Sequence, residues 1–169
     1  MSVMHSLLVE NIQIVSAFDP VNLASGANAG DWVSLENYRG VACLLRKNAA
    51  TAGDDPTITI EQATDASGTG AKAVNFTRVD TKEDADITTV GTFTTVTQAA
   101  GNTYTHAAYA EVEAITVIDI TEDLMDAAGG FTFVRMSVDD PGTNAQIADG
   151  LYLLHGPRYQ SNPLPSAIA

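Results

Sequence analysis

The sequence reads VACLLR at residues 41–46 and, after a loop, TITIEQA at residues 57–63. The first run is almost continuously apolar, which is typical of a strand that is covered on both faces. The second run alternates with period two, so its isoleucines lie on one side and its threonines and glutamate on the other. Together they predict a layered β-structure with residues 41–46 at the centre of its core.

The rest of the chain continues this pattern. Short β-type runs, separated by Gly, Asp, Asn and Pro, recur at the spacing of a sandwich or barrel, whereas segments with helical period are scarce. We therefore predict an all-β fold, an antiparallel β-sandwich or barrel-like domain that comprises residues 1–160. Its first strand, residues 6–16, is also a candidate arm, and Phe18-Asp19-Pro20 is predicted to end it.

Two further elements are predicted near the carboxyl end. One short helix is expected at about 121–128, because Thr121 can cap it, two acidic residues occupy its first turn, and Gly129-Gly130 follows it. The tail, residues 161–169, carries two prolines that are incompatible with a helix. We predict that it forms an extended carboxyl-terminal arm.

The charge balance excludes two classes of partner. The 169-residue chain has 8 Lys and Arg against 21 Asp and Glu, for a formal net charge of -13. Nucleic-acid phosphates and anionic lipid headgroups would repel such a chain, so neither nucleic acid nor a membrane is an expected partner. Charged residues make up only 17% of the chain, below the roughly 25% of ordinary domains. The surface is therefore rich in Thr, Ser, Asn and Ala, which is typical of a secreted β domain or of a protein covered by its own copies or a partner.

Cysteine usage and apolar runs indicate where the chain folds. Cys43 is the only cysteine, so no disulfide can form within the chain. No Lys or Arg precedes Arg39, so the amino terminus lacks the charged region of a signal peptide. No apolar run reaches the about 18 residues that a membrane helix needs. We expect folding in a reducing cytoplasm.

No motif predicts catalysis, a cofactor or a metal site. The three histidines are far apart, Cys43 lies in the most apolar strand, and no Gly-x-Ser-x-Gly sequence is present. Acidic pairs such as Asp54-Asp55 and Asp139-Asp140 are typical of turns, although weak calcium binding by them stays open. The chain is therefore predicted not to be an enzyme and to need no cofactor.

The candidate functional residues are instead basic, aromatic and apolar residues suited to a protein interface. Arg158 and Tyr159 follow an apolar strand, and Tyr38 and Arg39 form a similar pair in the turn after Trp32. Arg and Tyr often anchor interfaces, although Arg158 could equally pair with a nearby carboxylate at an ordinary strand end. Within the predicted arm the candidate contacts are Leu164 and Ile168. Trp32 itself is expected to lie in the core.

Four patterned segments carry a family resemblance: GDWVSLENY at residues 30–38, TITIEQATD at 57–65, GGFTFVR at 129–135 and YLLHGPRY at 152–159. With the apolar strand between the first two, they resemble small virion structural proteins of tailed bacteriophages, of the head decoration or cement type. The resemblance implies a protein on the capsid surface of the virion, made in the host cytoplasm. Its partners would be the major capsid protein and other copies of itself, as a trimer or dimer, and its role would be to stabilise the head.

Two alternatives stay open. The first is another virion position, a tail or head–tail connector protein, because the motifs are β patterns rather than contact motifs. The second belongs to a different class, a carbohydrate-binding or adhesin module, for which a β-sandwich with loop aromatics is a suitable platform.

Overall fold

The computed structural model describes residues 7–159 and 161–168. They fold into two antiparallel β-sheets that do not close into a barrel, which confirms the predicted all-β fold and favours the sandwich. The order of the strands in the large sheet is β1 (Ile12–Asn22), β12 (Ile147–His155), β4 (Gly40–Lys47), β10 (Glu113–Thr121), β7 (Phe76–Asp84) and β8 (Thr94–Gly101).

The small sheet is built from shorter strands. Its order is β2 (Asn28–Ala29), β11 (Phe133–Val138), β5 (Ile58–Ala63) and β6 (Lys72–Ala73), with β3 (Val33–Ser34) beside β11 and β9 (Thr103–Tyr104) beside β5. The core lies between the sheets. Val41, Cys43 and Leu45 fill it from the large sheet, and Ile58 and Ile60 from the small one. The period-two pattern of residues 57–63 is therefore confirmed.

The apolar run at 41–46 is central, since β4 lies between β12 and β10, but it is not covered on both faces. Its odd-numbered residues are buried in the core, whereas Ala42 and Leu44 on the other face stay partly exposed. A strand can therefore be apolar on both faces while only one of them is packed within the chain.

The predicted helix at 121–128 is replaced by two three-residue 3₁₀ turns, Glu122–Leu124 and Ala127–Gly129. Met125 between them is extended, and Thr121 makes no capping hydrogen bond through its side chain. Asp126 instead accepts from the backbone of Gly129 at 2.9 Å. Aspartate competes in this way with helical backbone bonding, which is why the acidic segment turns twice instead of forming one helix.

The first strand is part of the large sheet and does not form an arm. β1 pairs along its length with β12, from Ile12 opposite His155 to Asn22 opposite Ile147. It also continues past Pro20, with register shifts on both sides of Phe18. Proline is tolerated there because β1 is an edge strand with one unpaired side. Residue 6, the first of the predicted strand, lies outside the described residues.

A hydrogen bond from a tyrosine side chain joins the two sheets inside the core. The Tyr152 hydroxyl, from β12, accepts a hydrogen bond from the backbone N–H of Met136 in β11 at 2.8 Å. The Met136 carbonyl accepts from the Gly30 N–H at 2.9 Å, at the place where the chain leaves β2 before forming β3. A Cβ on Gly30 would lie 2.6 Å from the Tyr152 hydroxyl, so glycine is required for this contact. Tyr152 thus fills a gap in the edge of the small sheet.

We expect Tyr152→Phe to destabilise the fold, because it leaves the buried Met136 N–H without an acceptor. The expected loss in the free energy of unfolding is about 1–3 kcal/mol, measured by urea denaturation. Tyr159→Phe is the matched control, since Tyr159 is 71% exposed. Equal stability of the two variants would contradict this role for Tyr152.

Candidate protein-interaction surfaces

The carboxyl-terminal segment, residues 161–168, is extended as predicted but lies against its own domain. The Ser34 N–H donates to the Ala167 carbonyl at 2.8 Å, and the Tyr38 hydroxyl donates to the Pro165 carbonyl at 2.5 Å. Leu164, only 7% exposed, and Ala167 belong to the hydrophobic core. The tail is therefore not a free arm, because two of its apolar side chains, Leu164 and Ala167, fill the domain's own core.

This packing corrects two of the six predicted interface residues. Tyr38 is fully buried and Leu164 nearly so, and neither presents a surface to a partner. The tyrosine is held by the tail, and the leucine is the side chain that anchors the tail.

The other four predicted residues are exposed. Arg39 and Arg158 lie on the surface, Tyr159 is 71% exposed and Ile168 is 57% exposed. They share one region, because the segment that carries Arg158, Tyr159 and Ile168 runs beside residues 33–39. These four residues are called the carboxyl-terminal surface.

Backbone contacts fix the shape of the carboxyl-terminal surface. The Arg39 N–H donates to the carbonyls of His155 and Gly156, both at 3.1 Å, and the Arg158 N–H donates to Asn37 at 2.9 Å. The Arg158 guanidinium forms an ion pair with Glu122. Such a pair between partly exposed groups contributes little to stability, so the pairing that the sequence left open is present and still leaves the arginine accessible.

The motif residues around Trp32 are structural. Trp32 is buried, as predicted, and the Arg135 guanidinium lies 4.5 Å from the centre of its ring. Arg135 also pairs with Glu61 across β11 and β5 at 2.6 Å. Three of the four segments that carry the family resemblance are therefore joined through one arginine, which packs against the tryptophan.

An apolar surface that none of the predicted interface residues occupies lies on the outward side of the large sheet. Cross-strand neighbours place one row of apolar side chains beside another over β1, β12, β4 and β10. We call this surface the outer face; its apolar members are Ile14, Ala42, Leu44, Ile115, Val117, Leu151 and Leu153. Ile14 is 46% exposed and the others are partly exposed. The signal was present in VACLLR, because Ala42 and Leu44 at two of its even positions are apolar as well as the odd positions.

A shallow groove borders the outer face, with a volume of about 400 Å³. Val117, Phe93, Thr95, Arg78 and Asp80 line it. Arg78 donates twice to Asp80, at 2.9 and 3.0 Å, and Thr95 donates at 2.5 Å. The hydrogen bond from Arg78 holds the pKa of Asp80 below its ordinary value. The charges in the groove are thus already paired with each other.

Buried polar groups cluster between the sheets near the ends of β4 and β10. Lys47 is only 2% exposed, and its ammonium group donates to the carbonyls of Val112 at 2.7 Å and Asn48 at 3.1 Å. The ammonium group also lies 4.8 Å from the centre of the Tyr109 ring. Burial lowers the pKa of Lys47 to about 8, against the opposing effect of nearby carboxylates. The backbone carbonyls and the ring replace the water that Lys47 has lost.

The described residues bring together no obvious reactive group. Burial raises the pKa of the Cys43 thiol, so the sulfur stays protonated in the core. Within residues 7–159 and 161–168, no three His, Cys, Asp or Glu side chains are placed to hold a metal ion. No helix in this part of the chain is long and apolar enough to span a membrane.

The packing of the tail predicts that Leu164, which is buried, and Ile168, which is exposed, contribute differently to the free energy of unfolding. Leu164→Ala should lower the free energy of unfolding by about 2 kcal/mol, because it removes a buried side chain. Ile168→Ala, at an exposed position four residues further on, should leave stability unchanged. Urea denaturation of both variants tests this, and equal effects would show that the tail does not anchor through Leu164.

The lowered pKa of Lys47 predicts that the free energy of unfolding increases with pH above about pH 8. Between about pH 8 and 10.5 the unfolded chain keeps a proton on this amine that the folded chain has lost, so unfolding takes up a proton. The free energy of unfolding of the natural protein, minus that of Lys47→Met, should therefore increase across this window. Tyrosine titration is common to both proteins and cancels in the difference. A difference that stays flat with pH would contradict the lowered pKa.

A scan against protein-family models finds no match to this sequence, and a search of curated proteins finds none either. The function proposed below therefore rests on the residues and surfaces of this chain and on the motif resemblance.

Proposed function

We propose that the chain is a structural protein of a tailed-bacteriophage particle, a head decoration protein that binds the outside of the major capsid protein shell. The observation that carries the proposal is the outer face, where apolar side chains of four neighbouring strands adjoin one another on a chain of net charge -13. The motif resemblance supports the same role. Binding would stabilise the shell by holding neighbouring capsid subunits together.

The physical case is that the outer face is costly to leave in water. Burial of apolar surface contributes about 25 cal/mol per Å², and contiguous apolar patches on a protein surface mark interaction sites. Leu151, Leu44 and Val117 are direct cross-strand neighbours, so a flat partner would cover all three together. A sheet face of this kind binds through shape and apolar contact rather than through charge.

The carboxyl-terminal surface supplies polar and aromatic groups suited to a second contact. The ring of Tyr159 can exclude water from a contact. The guanidinium of Arg158 can exchange its ion pair with Glu122 for one with a carboxylate of the partner. Several such modest contacts, repeated by copies of the chain, give high occupancy through effective concentration.

Carbohydrate binding is the second candidate, and the groove is the observation that favours it. Phe93 is half exposed beside the hydrogen-bonding groups of Thr95 and Asp80, an arrangement that suits a sugar ring. Trp32 is buried, so its ring is not available to a sugar. A glycan array probed with the purified chain tests this candidate, and the absence of any bound glycan would reject it.

The decoration role predicts a high copy number in the particle. Quantitative mass spectrometry of purified particles of the phage that encodes this chain should give hundreds of copies, on the scale of the major capsid protein. A few to a few dozen copies would contradict decoration and indicate the tail or connector alternative.

Leu153→Glu should lose most of its capsid occupancy, because it places an unpaired carboxylate in the centre of the outer face. Leu124→Glu, at an exposed position on a 3₁₀ turn, is the matched control and should retain occupancy. Gel densitometry of reconstituted particles measures both, with circular dichroism to verify folding.

Occupancy of the natural protein should change little from low to high salt; a steep fall would indicate binding driven by charge.

A further inference from the structure

The two edges of the large sheet differ in how they are protected. β1, at one edge, contains Asp19 and Pro20 and two register shifts, all of which hinder pairing with another strand. β8, at the other edge, is eight residues long and contains neither proline nor charge. The small sheet ends in β2 and β6, which have two residues each. β8 also has one register shift against β7, between Thr97 and Gly101, but of the two edges of the large sheet it is the one without proline or charge.

The sequence around β8 is unusual for this chain. Residues 87–105 contain no Asp, Glu, Lys or Arg, although the net charge of the whole chain is -13. Two copies of the chain repel each other, and the repulsion is smallest where neither carries a charge. An uncharged edge is therefore the part of the surface that a second copy can approach most closely.

The side chains of β8 also suit pairing with themselves. Thr95 and Thr97 are exposed on the outer face, while Val96 points inward and packs against the core. Directly opposed Thr residues on antiparallel strands interact favourably, whereas like charges there would be destabilising. In an antiparallel pair related by a two-fold axis, only the residue on the axis faces its own copy. With the axis at Thr97, the two Thr97 side chains face each other, Thr95 faces Ala99, and no charged residues of β8 are opposed.

We propose that β8 pairs antiparallel with β8 of a second copy across a two-fold axis, which joins the two large sheets into one continuous twelve-stranded sheet. Backbone N–H and C=O groups on the free side of β8 supply the hydrogen bonds. The two outer faces then lie side by side on one surface. This pairing is a property of the protein alone in solution and does not depend on the proposed capsid role.

Charge variants at Thr97 test the pairing directly. Sedimentation velocity of the natural protein should give twice the 17.7 kDa chain mass. Thr97→Asp and Thr97→Lys should each be monomeric, because like charges then face each other across the axis. An equimolar mixture of the two variants should form a heterodimer, detected by native mass spectrometry. Ser16→Asp, an exposed position on the protected edge β1, is the matched control and should remain dimeric.

Several results would overturn the proposal. The natural protein could sediment with the mass of one or three chains, the two Thr97 variants could remain dimeric, or their mixture could stay monomeric. A monomeric natural protein whose β8 accepts an extended peptide from another protein is among them. Hydrogen exchange supplies a measurement that does not depend on variants: protection of the β8 amides should increase with protein concentration, and unchanged protection would count against the pairing.

Discussion

The fold depends on the hydrogen bond between the Met136 amide and the Tyr152 hydroxyl, which crosses from one sheet to the other. Two glycines leave room for it. Gly30 lies beside the hydroxyl, and at Gly150 a Cβ would lie 2.6 Å from the Phe18 side chain and 2.9 Å from the Met136 side chain. The chain between β2 and β3 leaves the small sheet at this point, and the tyrosine takes the place of the missing strand. The tyrosine thus spans the core between the two sheets, where the buried residues of β4 and β5 also pack.

The unequal size of the two sheets accounts for the candidate surfaces. The large sheet has six strands of eight to eleven residues, and the strands of the small sheet are six residues or shorter. One side of the large sheet packs on the small sheet and the tail. The apolar outer face and the β8 edge are what this arrangement leaves unpaired, so both follow from the architecture rather than from isolated surface residues.

The strand content and the inward alternation could be predicted, because period two is a local property that the backbone imposes on each strand. The helix at 121–128 could not, since Asp126 satisfies its backbone partners locally and Met125 stays extended. Periodicity also could not distinguish an apolar face that is packed from one that is half exposed, as in Ala42 and Leu44. The burial of Tyr38 and Leu164 depends on a contact across more than 120 positions of sequence, which no local pattern records.

The register shifts and Pro20 of β1 have a consequence for the sizes of assembly that are open to this protein. A sheet with two usable edges can add strands without limit and grow into a fibre. Here the edge formed by β1 is blocked, so growth through strand pairing can occur only on the β8 side. Two chains that use that side leave only blocked edges at the ends of the combined sheet, and further growth stops there. Strand pairing of this kind would therefore end at two chains instead of continuing into a fibre.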